Sequence, residues 1–338
     1  MNKLLVPEPI SGGLILSYQC NIECPHCMYA CSPTWRGDWM SKKDGKKILD
    51  QLADKIQESP FGPERVSLNY GLHFTGGEPF LNFDLLLELT AIANGLKIPS
   101  TFVETNSFWC RDDEVTRERL IELKKADLKG ILISVNPFFT EKIPFERIKR
   151  NAKISREVFG KNVMVYQDFF YQQFERMGIE GKISLEEYLR KAGYGSLNNI
   201  ELIPMGRAVY KLGYLFRKYP ASQFFGQSCL EELTRPWHIH IDNYGNYITG
   251  YCGGISLGDA RDLKSMREMD LEQKPILKLL VCDIENFFEF AVQEFGYKEQ
   301  KEGYISKCHL CLDIRRHITR QDGKFKELQP EEFYQHLE

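Results

Sequence analysis

The sequence predicts an α/β protein: a parallel sheet covered by helices and curled into a full or partial barrel over residues 1–207, then a smaller α+β domain over residues 208–338. Three observations carry the prediction. Strand candidates alternate with amphipathic helix candidates from residue 14 to residue 203. From the second strand onward their starts recur every 29 to 37 residues, close to the roughly 30 residues of a strand plus its crossover helix. After Ile203 the rhythm stops, and the tail holds five of the ten cysteines.

The strand candidates are apolar, β-branched or aromatic runs beginning at Leu14, Leu72, Thr101, Ile131, Val163 and Ile200. Helix candidates fill the gaps over 42–58, 83–94, 113–126, 145–159 and 185–191. Ser41, Asn82 and Ser184 are suited to cap them, and Glu187, three residues past Ser184, completes a capping box. In the tail, residues 238–248 (HIHIDNYGNYI) read as a hairpin and residues 271–295 as a helix. A parallel sheet of this kind binds ligands at the carboxyl ends of its strands, so motifs that follow strands should carry the chemistry.

Composition narrows the function. Lys+Arg number 44 against 47 Asp+Glu, a net charge of −3, which gives no support to a general nucleic-acid or acidic-membrane binder. Leu4-Leu5-Val6 is followed at once by Pro7, too short for the apolar core of a secretory signal, and no apolar run approaches the roughly 18 residues of a membrane helix. A soluble, cytoplasmic chain is expected. Ten cysteines are then the anomaly, because reducing compartments disfavour structural disulfides and favour metal or redox roles for thiols.

Directly after the first strand comes Cys20-x3-Cys24-x2-Cys27. Thiolates at this spacing on one short loop can converge on different irons of a cubane cluster, and three ligands leave the fourth iron open. The same spacing also suits a zinc site completed by Cys31 or His26. After the second strand comes Thr75-Gly76-Gly77-Glu78-Pro79, whose glycines permit close backbone approach to a ligand and whose carboxylate can accept from an amine. By itself this segment is also an ordinary strand-to-helix connection.

Together the two motifs resemble the radical S-adenosylmethionine (radical SAM) superfamily, with His26 as the aromatic residue before the third cysteine. The resemblance covers roughly residues 12–207 and implies a partial (β/α)6 TIM-type barrel. In it Cys20, Cys24 and Cys27 would hold a [4Fe-4S] cluster, and S-adenosylmethionine would chelate the open iron. Gly76, Gly77 and Glu78 would receive the methionyl amine, with Pro79 shaping the turn and His26 beside the cofactor. One-electron reduction would then release a 5′-deoxyadenosyl radical that abstracts hydrogen from substrate. Asn106 and Ser134, at the ends of the third and fourth strands, are implied contacts to the cofactor's ribose or carboxylate, although loop hydrogen bonding explains them equally. Segment 203–208 (IPMGRA) is implied to offer backbone to adenine or to serve as a surface loop.

In the tail, Cys229, Cys252 and the pair Cys308-x2-Cys311 could fully ligate a second cluster, and tetrahedral sulfur suits zinc as well. The arrangement, with Asp242-x2-Gly245 in a hairpin, resembles the twitch and SPASM extensions of radical SAM enzymes and implies an auxiliary [4Fe-4S] cluster. No cysteine follows Cys311, so one auxiliary cluster is expected, held by Cys229, Cys252, Cys308 and Cys311 with Cys282 as substitute. Cys31, Cys110 and Cys282 could donate a hydrogen atom to a substrate radical, but a lone cysteine is more often a small buried hydrophobe. Trp35, Trp39, Phe108 and Trp109 could line a substrate cavity or pack the core.

The function implied is that of a radical SAM oxidoreductase acting on a peptide or small-molecule biosynthetic substrate by dehydrogenation, crosslinking or epimerisation. A flavodoxin- or ferredoxin-type electron donor is implied as partner. About ten residues precede the first strand, so no fused leader-peptide-binding module is expected, which tilts slightly away from peptides. The alternative is a non-enzymatic zinc or iron-sulfur protein that retains the barrel.

Overall fold

The computed structural model of the protein describes residues 2–321 and 323–338. Five parallel strands form the heart of the sheet: β2 (Ser11–Ile15), β3 (Gly71–Thr75), β4 (Phe102–Thr105), β5 (Gly130–Ser134) and β6 (Val163–Tyr166). A short β1 (Lys3–Leu5) lies apart, paired with β9 (Glu268–Asp270). Helices Lys42–Leu52, Phe83–Gly95, Asp113–Lys125 and Phe145–Phe159 connect successive strands, as the alternating pattern requires. Their starts follow from capping chemistry. The side chains of Ser41 and Asn82 accept from the backbone N–H of Asp44 and Leu85, and Ser184 caps Leu185–Ala192 in the same way.

The sixth parallel strand is not where the rhythm placed it. Residues 201–203 run without ladder pairing, because β6 ends at Gln167, which adopts a left-handed φ of 66°. The Gln167 side-chain amide reaches across, donating to the Glu201 carbonyl at 3.4 Å. A strand from the tail joins the opposite edge instead. β7 (Ile239–Ile241) pairs parallel with β2 in the register Gly12↔Ile239, Gly13↔His240 and Leu14↔Ile241, and the hairpin continues into β8 (Tyr247–Ile248). The sheet order among the described residues is β6-β5-β4-β3-β2-β7-β8.

The expected helix over 271–295 is broken in two, Pro275–Cys282 and Ile284–Phe295. Asp283 between them is extended (φ −164°) and its carboxylate caps the second helix at Glu285 N–H. The last long helix, Lys307–Arg320, carries Cys308 and Cys311. The C-terminal residues then return to the first loop, where His336 stacks on Trp35 and Trp35 on Tyr18, with ring centroids 4.8 and 4.4 Å apart. Among the described residues no helix is long and apolar enough to cross a membrane.

Candidate functional site

The cysteine loop and the glycine loop are joined through backbone. Gly77 N–H donates to Ser17 O (2.8 Å) and Glu78 N–H to Gln19 O (3.2 Å). A Cβ on Gly77 would lie 1.9 Å from Gln19 O, and Gly76 has φ +134°, so the glycine pair is required by this approach itself. Cys20, Cys24 and Cys27 face Gly76, Gly77 and Glu78 across one cavity of about 120 Å³, with Pro79, Asn106 and Ser134 also in its wall.

Electrostatics distinguish the three thiols. Burial pushes the Cys20 and Cys24 thiols up. Cys27 is drawn down to about 6, first because Cys31 hydrogen-bonds its sulfur and then because the Arg207 guanidinium lies near; Cys31 N–H donates to Cys27 Sγ at 3.3 Å. Cys31 also lines the cavity. His26 is held neutral, its pKa lowered to about 4 by burial and by Arg207. Its Nε2 meets the Asn136 amide at 3.2 Å, while its buried Nδ1 has no hydrogen-bond partner among the described residues.

Glu78 is buried, and burial raises its pKa to about 7 despite three donors: Thr105 Oγ1 (2.9 Å), Asn106 N–H (2.8 Å) and Phe80 N–H (3.2 Å). A carboxylate offers about four lone-pair sites, so about one remains for an ammonium group. Asn106 in turn donates its amide to Asn21 Oδ1 at 2.9 Å, tying the end of β4 to the cysteine loop.

Arg207 is the residue whose role the sequence did not reveal. It is 1% exposed, and its guanidinium donates to the carbonyls of Cys24 (2.8 Å), Ala30 (2.8 Å), Cys31 (3.1 Å) and His336 (3.0 Å). Gly206 before it is left-handed (φ +57°), with Met28 O 2.2 Å from where a Cβ would stand. The Gly-Arg pair was the available signal.

A second cavity of about 240 Å³ adjoins the first and shares seven wall residues with it, Cys27, His26, Gly76, Glu104 and Ser134 among them. Tyr166 and Tyr251 wall it, and His238 and His240 lie at its floor. The aromatic candidates are elsewhere: Trp109 stacks on Phe80 at 4.0 Å and Trp35 on Tyr18, while Trp39 and Phe108 are half-buried against the core. Cys110 is fully buried outside both cavities, and Cys282 is exposed.

Cys229, Cys252, Cys308 and Cys311 come together around a third, small cavity of about 20 Å³, without Cys282. Burial pushes Cys252 up to about 12, Cys308 up to about 11 and Cys229 higher still. Beside them the buried Arg315 donates to Gly253 O (2.9 Å) and Tyr334 Oη (2.8 Å), and its Nε has no partner among the described residues. Asp242, from the Asp-x2-Gly segment, closes the hairpin by accepting from Tyr18 Oη (3.0 Å) and from the N–H groups of Tyr244 (3.0 Å) and Asn246 (2.9 Å).

Among the described residues, one ligating nitrogen from each of His73, His238 and His240 lies within 4.8 Å of the others.

Comparison with known proteins agrees with this geometry. Residues 14–175 match the family profile of the radical SAM superfamily. YydG of Bacillus subtilis (strain 168), named for peptide biosynthesis, is 23% identical over 142 residues, 42% of this chain and 40% of that protein. The PqqA peptide cyclase of Bradyrhizobium diazoefficiens is 29% identical over 126 residues, 37% of this chain and 28% of that one. The chain therefore spans less than half the length of these curated relatives. The solved structure of native anSMEcpe with bound AdoMet has 12% identity and a TM-score of 0.45, covering 93% of this chain and 99% of that one. Residues 14–175, which hold the cysteine loop and the glycine loop, form a domain of the radical SAM superfamily, whose cofactors are a [4Fe-4S] cluster and S-adenosylmethionine.

Proposed function

We propose that this chain is an oxidoreductase-type radical SAM enzyme that abstracts hydrogen from a peptide during its maturation. The observation that carries the reading is the placement of three thiols of one loop opposite the glycine loop across a single cavity. When bound, the cluster and S-adenosylmethionine supply a 5′-deoxyadenosyl radical as the hydrogen acceptor.

Residues of this chain do the rest. Cys20, Cys24 and Cys27 ligate the cluster, and Arg207 fixes the carbonyls of the loop that presents them. His26, in the wall of the same cavity, has a buried Nδ1 without a partner among the described residues, free to bond a cofactor atom. Glu78 orders the turn at Thr105 and Asn106 and keeps one lone-pair site for the methionyl amine. Ser134, in the wall of both cavities, lies where cofactor and substrate meet. Cys229, Cys252, Cys308 and Cys311 would hold one auxiliary cluster, and the buried Arg315 beside them would offset part of its negative charge.

One feature supports a peptide: both curated relatives are named for peptide chemistry. A cluster held by these four thiols would supply a one-electron acceptor, which suits dehydrogenation or crosslinking and not a redox-neutral epimerisation.

The test is anaerobic reconstitution followed by dithionite and S-adenosylmethionine. Release of 5′-deoxyadenosine is expected, with about eight irons per chain and matching sulfide. Folded, iron-loaded protein that makes no 5′-deoxyadenosine overturns the reading, and zinc without sulfide replaces it with a non-enzymatic metal protein. Mass spectrometry of a treated peptide then separates a loss of hydrogen from solvent-deuterium uptake without oxidation.

A further inference from the structure

We propose that His73, His238 and His240 bind a divalent first-row transition-metal ion, zinc(II) being the probe, beside the larger cavity and with no ligand in common with either cysteine set. The site is built by strand register. Gly13 on β2 aligns with His73 on β3 and with His240 on β7. These outer strands stand about 10 Å apart, two strand spacings, so their imidazoles meet only if the residue between them has no side chain. A Cβ at Gly13 would lie 2.3 Å from His73 Nε2, and the two Nε2 atoms approach to 3.1 Å across it. His238, two residues ahead of His240, turns its ring to the same point.

The three rings form a nearly regular triangle, with centroid separations of 5.1, 5.1 and 5.3 Å. Imidazoles bound tetrahedrally at Zn–N of about 2.0–2.1 Å place their ring centroids about 3.2 Å from the metal, hence about 5.3 Å from one another. One ligating nitrogen of each ring already lies within 4.8 Å of the others.

Tautomers agree with ligation. His238 Nδ1 faces the Leu68 carbonyl at 3.3 Å, and a carbonyl only accepts, so Nδ1 carries the proton and Nε2 keeps its lone pair. His240 Nδ1 is engaged by Tyr29 Oη at 2.8 Å, which leaves its Nε2 toward His73. A partner on the far nitrogen is the usual support of a metal-bound histidine. Burial holds all three imidazoles in the neutral, ligating form. Glu104 Oε1 lies 3.8 Å from His73 Nε2; burial raises this carboxyl's pKa to about 7, and a cation held by the three imidazoles would favour its charged form. Because His238 and His240 line the cavity, the ion is reached from the space where substrate would enter, and a carboxylate or carbonyl oxygen could take its fourth position.

The experiment uses the full chain with its clusters reconstituted, exposed to zinc(II), desalted anaerobically and assayed for zinc and iron, with zinc-edge absorption on the same sample. The result expected is one zinc per chain beyond the iron, nitrogen neighbours at about 2.0–2.1 Å and an imidazole outer shell. His73→Ala and His240→Ala should each retain at least tenfold less zinc at unchanged iron, and His238→Ala, nearer the surface, provides a third variant. Wild-type protein that retains no zinc, a sulfur shell at about 2.3 Å, or undiminished zinc in the histidine variants would overturn the site. The absorption spectrum of the wild type decides even if a variant misfolds. The readout is zinc, so its failure is distinct from a failure to cleave S-adenosylmethionine.

Discussion

Replacing Arg207 tests what holds the cysteine loop in shape. Arg207→Met keeps much of the side chain's length but removes the donors to Cys24, Ala30, Cys31 and His336. A hydrogen bond to a charged group contributes about 1.5–3 kcal/mol, and a buried carbonyl left without a donor costs about 1–3 kcal/mol. The four bonds share one group and cannot be summed, so the estimate is about 3–5 kcal/mol, the upper end of single-substitution effects. The nearest ion-pair partner, Glu23, is 3.9 Å away, so loss of ion-pair energy adds little to that cost. The unfolding midpoint should fall by roughly 5–15 °C, and iron bound after reconstitution should fall with it. In cluster-free protein the Cys27 thiol, near 6 in the wild type, should also titrate higher, read from the pH dependence of its alkylation rate. Arg207→Lys, which keeps the charge but not the fork of donors, should fall between the two. A Met variant with the wild-type midpoint, full iron and an unchanged alkylation profile would refute the assignment of Arg207 as the loop's positioning residue.

Other perturbations separate the remaining parts. Cys24→Ala should abolish 5′-deoxyadenosine formation, whereas Cys308→Ala should lower iron by about half and spare cleavage; loss of cleavage in both contradicts two separate centres. Glu78→Gln should leave iron unchanged and weaken S-adenosylmethionine binding about tenfold, about 1.4 kcal/mol, measured by equilibrium dialysis. The same variant carries a pH signature. Glu78 is raised to about 7 in the fold, so the stability it contributes is complete below its ordinary value of about 4.5 and is lost as pH rises through 7. Denaturant midpoints of the cluster-free protein should therefore slope downward across that window, and the slope should flatten in Glu78→Gln. Gly77→Ala, with its Cβ 1.9 Å from Gln19 O, should cost about 1–3 kcal/mol and reduce cofactor affinity; an unchanged midpoint would show that the loops can separate.

Much of the barrel could be read from local chemistry. The strands at Leu14, Leu72, Thr101, Ile131 and Val163 and the caps at Ser41, Asn82 and Ser184 each depend on a few neighbouring residues, and each appears in the structure. Both cysteine sets were legible because thiols are rare and their spacing is chemical. What escaped was non-local. Nothing near Gly12 and Gly13 announces that Ile239–Ile241 will pair with them, so the HIHI run read only as half of a hairpin, and the sixth strand was sought at Ile200. Arg207 escaped for the same reason, since its four acceptors lie far away in sequence. The break at Asp283 was local but masked, because apolar periodicity continues across it while the aspartate stops one helix and caps the next.

The pairing of β2 with β7 bears on how the chain is made. After β2 leaves the ribosome, it waits for its second neighbour until more than two hundred further residues have been synthesised. Through that interval one edge of β2 lies open, a template for pairing with another nascent chain. Cluster insertion into the loop that follows β2 is then best timed late, after the tail has closed that flank and brought Trp35 and His336 together.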